Sequence, residues 1–140
     1  MIVLDTNVLS EVIRLAPSPK VLHWLGELAR ESVFTTAVTQ AEMLYGLASL
    51  PAGKRRALLE SALEKMFTEE FAGRILSFDE DAARVFAKIV ARRDALGRPI
   101  SQFDAMIAAI ARSRRAALAT RNIGDFRDCG LRIVDPWAAR

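Results

Sequence analysis

Asp5, Glu42 and Asp104 are acids set among apolar residues. Asp5 follows the run Met1-Ile2-Val3-Leu4. Glu42 sits in Thr39-Gln40-Ala41-Glu42-Met43-Leu44-Tyr45-Gly46, and Asp104 in Ser101-Gln102-Phe103-Asp104-Ala105-Met106-Ile107-Ala108. Each falls at the end of a predicted strand or near the start of a predicted helix. Brought together by a fold, they would make a nest of hard oxygen donors that needs a divalent cation. Mg²⁺ suits such donors, binding one or two carboxylates directly and keeping several waters. A bound ion polarises a phosphoryl oxygen and lowers the pKa of a water. That chemistry points to phosphodiester bonds.

Each acid also has an ordinary structural role open to it. Asp5 fits a turn or cap before a short helix beginning near Asn7. Thr39-x-x-Glu42 matches a capping box, in which Glu reaches back to the cap's backbone N–H, and Ser101-x-x-Asp104 is a weaker version. The metal reading differs in explaining all three at once. Other signatures are missing from the sequence: there is no G-x-x-x-x-G-K-[ST] loop, no G-x-G-x-x-G and no G-x-S-x-G elbow. The single histidine, His23, lies in a predicted helix between Leu22 and Trp24 and is expected at the surface.

The elements that must position these acids are short apolar strands alternating with longer helical patterns. Strand candidates are Ile2 to Leu4, Val33 to Thr35, Arg74 to Phe78, Ala117 to Ala119 and Leu131 to Val134. Ser18-Pro19 reads as an N-cap and first-turn proline, followed by the stripe Val21, Leu22, Leu25 and Leu28. Leu58, Leu59, Ala62, Leu63, Met66 and Phe67 form a second stripe. Asp79 is expected to cap a third helix, which Gly97 ends, and Ser101 to start a fourth. Trp24 and Tyr45 fall on helices and read as core or interface residues.

Alternation of this kind argues for a mostly parallel sheet covered on both faces. Ligands bind such sheets beyond the carboxyl ends of the strands, where strand order reverses. Asp5 is expected at such an end, and so is the segment Thr120-Arg121-Asn122-Ile123-Gly124-Asp125-Phe126, just after Ala117 to Ala119.

The 140 residues fit one domain, 1–140, and 51% of them are apolar, so a packed core is expected. No apolar run approaches the ~18 residues of a membrane span. With no visible export signal and a single cysteine, Cys129, the expected location is cytoplasmic and a cysteine-based zinc site is not expected. Net charge is +3, and arginine supplies 16 of the 20 positive charges. Arginine forks match phosphate geometry, which suits a nucleic-acid partner.

These segments resemble the motifs of PIN-domain ribonucleases. Asp5-Thr6-Asn7-Val8-Leu9-Ser10 looks like the family's opening, and Thr39 to Gly46 like its second motif. Phe103-Asp104-Ala105-Met106-Ile107-Ala108-Ala109 resembles the third, and Thr120-Arg121-Asn122 with Asp125-Phe126 the fourth. The ending Val134-Asp135-Pro136-Trp137 is similar to VapC-type toxins of bacterial toxin–antitoxin pairs, particularly their FitB-like branch. The likeness runs over nearly the whole chain, in order.

The resemblance implies a three-layer α/β/α sandwich with a mostly parallel sheet of about five strands. It implies a toxin endoribonuclease dependent on Mg²⁺, with Mn²⁺ able to substitute, and a cognate VapB-type antitoxin. It also implies a homodimer or a higher toxin–antitoxin assembly. It maps metal ligation onto Asp5, Glu42 and Asp104, with hydrogen-bonding support from Thr6 and Thr120. Some relatives carry an acid where this chain has Asn122; Asp125 substitutes for it, or Asn122 positions a water. Arg121 is either a contact for the scissile phosphate or a solvated loop residue. Two rivals stand beside this reading. A haloacid dehalogenase-like phosphotransferase would need a second aspartate at the position of Asn7. A PIN fold with a weakened site would be a module that binds RNA or protein without cleaving.

Overall fold

The computed structural model describes residues 1–138. Five short strands form one sheet: β1 (Ile2–Leu4), β2 (Val33–Thr36), β3 (Ile75–Leu76), β4 (Ala117–Ala119) and β5 (Ile133–Val134). Six α-helices accompany them: α1 (Thr6–Val12), α2 (Pro19–Gly26), α3 (Ala37–Ala48), α4 (Lys54–Lys65), α5 (Glu80–Ala95) and α6 (Gln102–Ser113). Strand order is β3-β2-β1-β4-β5, and every pairing is parallel. The expected three-layer α/β/α sandwich with about five strands is the architecture found. None of the described helices is long and apolar enough to cross a membrane.

The period of two along a strand sorts the core into two layers. Ile2 and Leu4 of β1, with Ala117 and Ala119 of β4, face a cluster that holds Val8, Leu9, Val21, Met43, Leu47 and Leu63. Val3 and Leu118 point the other way, into a cluster with Ala82, Ile89, Ile107 and Ile110. Thus α1, α2, α4 and most of α3 cover one face, and α5 and α6 cover the other. Ala105, Ala108, Ala109 and Ala111 of α6 are fully buried. Small side chains let α6 approach its neighbours closely.

Local signals act as the sequence implies. Ser18, Asp79 and Ser101 are N-caps whose side chains accept from Val21, Ala82 and Asp104 backbone N–H groups. Gly97 adopts φ +70° just after α5, a conformation that favours glycine. The third strand is shorter than the expected Arg74–Phe78. The stripe ending in Met66 and Phe67 leaves α4 through a π-helical turn, Met66–Glu70. Trp24 packs against the first core cluster, whereas Tyr45 lies outside the core and is 76% exposed. His23 is exposed, with Nε2 2.8 Å from Glu27.

The chain moves outward from β1 to β2 and β3, then returns to place β4 on the other side of β1. The reversal therefore lies between β1 and β4, where α/β sheets open their binding crevice. Asp5 N–H donates to Ala119 O at 2.9 Å and ties the two strand ends together.

Candidate active site

Asp5 leaves the end of β1 and becomes the N-cap of α1. Its Oδ1 accepts from Thr6 N–H at 2.8 Å, so the cap expected from sequence is real. Capping engages only that oxygen. Oδ2 accepts from the Thr120 hydroxyl at 2.8 Å and from Asn7 Nδ2 at 3.2 Å. Thr120 sits just beyond the end of β4 and is fully buried. Its oxygen also accepts from Asn7 Nδ2 and from Asn122 N–H, both at 3.1 Å. The hydroxyl proton can then go only toward Asp5. Asn7 closes the network by accepting from Arg121 N–H at 3.2 Å.

Glu42 is where sequence reasoning needs correction. The cap of α3 is Thr36, not Thr39: Thr36 Oγ1 accepts from Thr39 N–H at 3.0 Å. Glu42 is therefore the sixth residue of the helix, a turn past its start, and plays no part in a capping box. Its Oε1 instead accepts from the Thr6 hydroxyl at 2.8 Å, and Thr6 shares a second hydrogen bond of 3.1 Å with the Thr39 hydroxyl. A contact 36 residues away in sequence has replaced the local one.

Asp104 is the third residue of α6, half-buried. Ser101 fixes the turn beneath it by accepting from Asp104 N–H at 3.2 Å. Asp5, Glu42 and Asp104 all line one cavity of about 540 Å³ at the carboxyl ends of β1 and β4. Thr6, Arg121 and Asn122 line it too. Asp125 does not. It lies exposed on the 3-10 turn Ile123–Phe126, close enough for its charge to act on Asp104.

The electrostatics record the crowding. Burial, above all, pushes the Asp5 carboxyl up to about 6. The hydrogen bonds from Thr120 and Thr6 oppose that shift, while the negative charges of Asp104 and Glu42 add to it. Asp104 is raised as well, first by burial and then by Asp125; Ser101 and the Arg93 guanidinium pull it back. Arg93 itself is buried and donates to the backbone oxygens of Asp125 and Arg127 at 2.8 and 2.9 Å, holding the turn after β4 in place.

Several lining residues were not singled out from sequence. Asn7, Ser10, Glu11 and Arg14 all face the cavity, at i, i+3, i+4 and i+7 along α1 and its exit. That spacing is one helix face, and a polar stripe on a helix next to a candidate ligand was a signal available in the sequence. Glu11 is 7% exposed, with its pKa lowered by the Ser18 N–H bond at 2.9 Å and then by Arg14. Arg14 is thereby engaged, 3.1 Å from Glu11. Arg121 stacks over the Trp137 ring at 4.9 Å from its centroid.

Among the described residues, no three acids converge tightly enough to enclose an ion by themselves. The arrangement is an open ring of carboxylates around a cavity, with Asp5 and Glu42 oriented by hydroxyl, amide and backbone N–H groups. Its donors are all oxygen, and one of them is a carboxyl whose ionisation is opposed first by burial and then by the charges of Asp104 and Glu42. Such a donor set fits a hard divalent ion that retains several waters, and fits soft-metal or cysteine chemistry poorly.

The PIN domain family model matches residues 2–130. The chain is 42% identical to the VapC ribonuclease Y4jK of Sinorhizobium fredii, over 98% of each chain. It is 40% identical to the toxin FitB of Neisseria gonorrhoeae, over 98% of this chain and 99% of that one. The solved structure of FitAB bound to an IR36 DNA fragment superimposes with a TM-score of 0.93 at 39% identity, covering 100% of this chain and 98% of that one.

Proposed function

The chain belongs to the PIN-domain family, and from that premise we propose that it is a toxin endoribonuclease that cleaves RNA with a metal-activated water and is silenced by an antitoxin. One observation carries the reading: a buried Asp5, held by Thr120 and Asn7, faces Glu42 and Asp104 across one cavity. The relatives' names supply the reaction class, since one is called a ribonuclease and another a toxin.

In this reading Asp5, Glu42 and Asp104 hold Mg²⁺, and Mn²⁺ substitutes for it. When bound, the ion polarises a phosphoryl oxygen and makes a water nucleophilic near neutral pH. The chain's own residues do the positioning. Thr120 and Asn7 keep Asp5 Oδ2 in place, and Thr6 does the same for Glu42. Asn122 lines the wall beside them. Arg121, with its backbone fixed by Asn7 and its guanidinium laid on Trp137, presents positive charge to an incoming phosphate. RNA is the substrate, a VapB-type antitoxin the partner, and a homodimer the assembly. Likeness to the toxin FitB and to the FitAB complex supports the toxin–antitoxin pairing.

The test is cleavage of a defined RNA by purified protein. Mg²⁺ should support cleavage and EDTA should abolish it. Asp104→Asn should lower the rate at least ~100-fold, as expected for loss of a principal electrostatic group. Undiminished cleavage in EDTA would contradict the metal site. RNA binding without cleavage in Mg²⁺ would favour the weakened-module reading instead.

A further inference from the structure

The end of the sheet opposite the carboxylates holds a second cavity, of about 530 Å³. Met1 precedes β1, Ala117 opens β4 and Arg132 precedes β5, so this cavity faces the amino ends of the strands. Arg112, Arg115 and Arg132 line it, and among the described residues no carboxylate does. Asp79 pairs with Arg114 at 3.1 Å, and Asp128 with Arg98 at 3.4 Å. Among the described residues, none of the three lining arginines has an ion-pair partner.

The cavity is shaped by the backbone. Arg112 Nη1 donates to Cys129 O at 3.2 Å, and its guanidinium lies against Gly130. A Cβ at Gly130 would come within 2.9 Å of Nη1, 3.0 Å of Cζ and 3.1 Å of Nε, and the φ of +76° there also favours glycine. Arg115 follows the cap of α6 with φ 55°, the left-handed position that glycine usually takes. Basic residues at a helix end do complement its dipole. That end is worth only about half a negative charge, against three guanidinium groups. Among the described residues, no ion pair balances the remaining positive charge.

We propose that this cavity is a phosphate-binding site, separate from the carboxylate cavity, that takes the oligophosphate of a nucleotide or the backbone of an RNA. Planar guanidinium forks bind phosphate oxygens in pairs. Three of them around one cavity match a ligand with several adjacent negative charges, and the volume accommodates more than a single phosphate. The inference does not rest on the catalytic reading, because none of these residues lines that site.

Calorimetric titration with inorganic tripolyphosphate, in EDTA and low salt, reads the site directly. The wild-type chain should bind one equivalent. The double variant Arg115→Gln/Arg132→Gln should bind at least about tenfold more weakly, as expected for lost charge-assisted hydrogen bonds. Glu42→Gln should bind like wild type. Both arginines are exposed, so the double variant should melt with the wild type. A second arm measures affinity for a labelled RNA oligonucleotide in the Asp104→Asn background. Weaker RNA binding and a shallower salt dependence on adding the double substitution would assign the site to RNA. Unchanged RNA affinity with tripolyphosphate binding lost would assign it to a free phosphorylated compound. Tripolyphosphate binding that ignores the double substitution would overturn the proposal. So would no tripolyphosphate binding together with unchanged RNA affinity.

Discussion

Thr120 uses its hydroxyl fully: one proton toward Asp5, and acceptor positions for Asn7 and Asn122. Thr120→Val would keep the shape and remove all three bonds. It should cost about 1–3 kcal/mol of stability, as expected for buried groups left unpaired, and most of the RNA cleavage. Thr120→Ser should retain both; equal behaviour of the two variants would leave Thr120 without a role in the site. Asp5 makes a pH prediction whose sign follows from its shift. A carboxyl raised from 3.8 to about 6 favours the folded state below 3.8, and that advantage is lost as pH rises through about 6. Metal-free protein should therefore melt lower at pH 7 than at pH 5, and added Mn²⁺ should narrow the gap. At the fourth motif, Asn122 lines the cavity and Asp125 does not. Asn122→Ala should accordingly lower cleavage more than Asp125→Asn, and steady-state rates would show the reverse ranking if Asp125 were the functional acid. The sequence made Asp5, Glu42 and Asp104 conspicuous because acids among apolar residues stand out. Asn7 and Glu11 did not, because polar residues on a short helix look solvated until the neighbouring strand end is known.

Helix caps were legible one element at a time. Ser18, Asp79 and Ser101 cap as read because each signal is local, a side chain reaching a backbone N–H three residues on. The start of α3 was misread for the same reason. Thr36 and Thr39 are both threonines at the start of the helical run, and only the end of β2 decides between them; Thr36 is the last strand residue and takes the cap. The shift turns Glu42 from a capping residue into a helix-face carboxylate bonded to Thr6. The element that positions Asp104 is α6, whose buried alanines set its distance from the sheet and α5. Ala109→Leu would overpack that layer, at a cost of about 1–3 kcal/mol. It should also displace Asp104, so cleavage should fall further than in a surface variant of equal stability. Matching melting temperature against rate for Ala109→Leu and for Asp79→Ala, which loses a helix cap away from the carboxylate cavity, would check this. A loss of rate explained by unfolding alone would refute it.

For the molecule as a whole, the parallel sheet could be inferred from alternation, but strand order could not. Sequence spacing reports periodicity, and it does not say that β4 returns beside β1 after two outward crossovers. That return brings Thr120 to Asp5 across 115 residues. It also gives the molecule two poles, carboxylates at one end of the sheet and a cluster of arginines at the other. The central claim of the proposal, that three carboxylates form a divalent-ion site, is tested most directly by thermal melts in EDTA and in Mn²⁺. Binding to the native state stabilises it by roughly 2.7 kcal/mol at a hundredfold excess over Kd. For a chain of this size that raises the wild-type Tm by about 10 °C. Glu42→Gln keeps the oxygen that Thr6 bonds while removing the charge facing Asp5. This variant should thus fold normally, melt at or above wild type in EDTA, and lose most of the Mn²⁺ shift. Asp104→Asn should lose it too. Equal Mn²⁺ shifts in the wild type and both variants would contradict the three-carboxylate site.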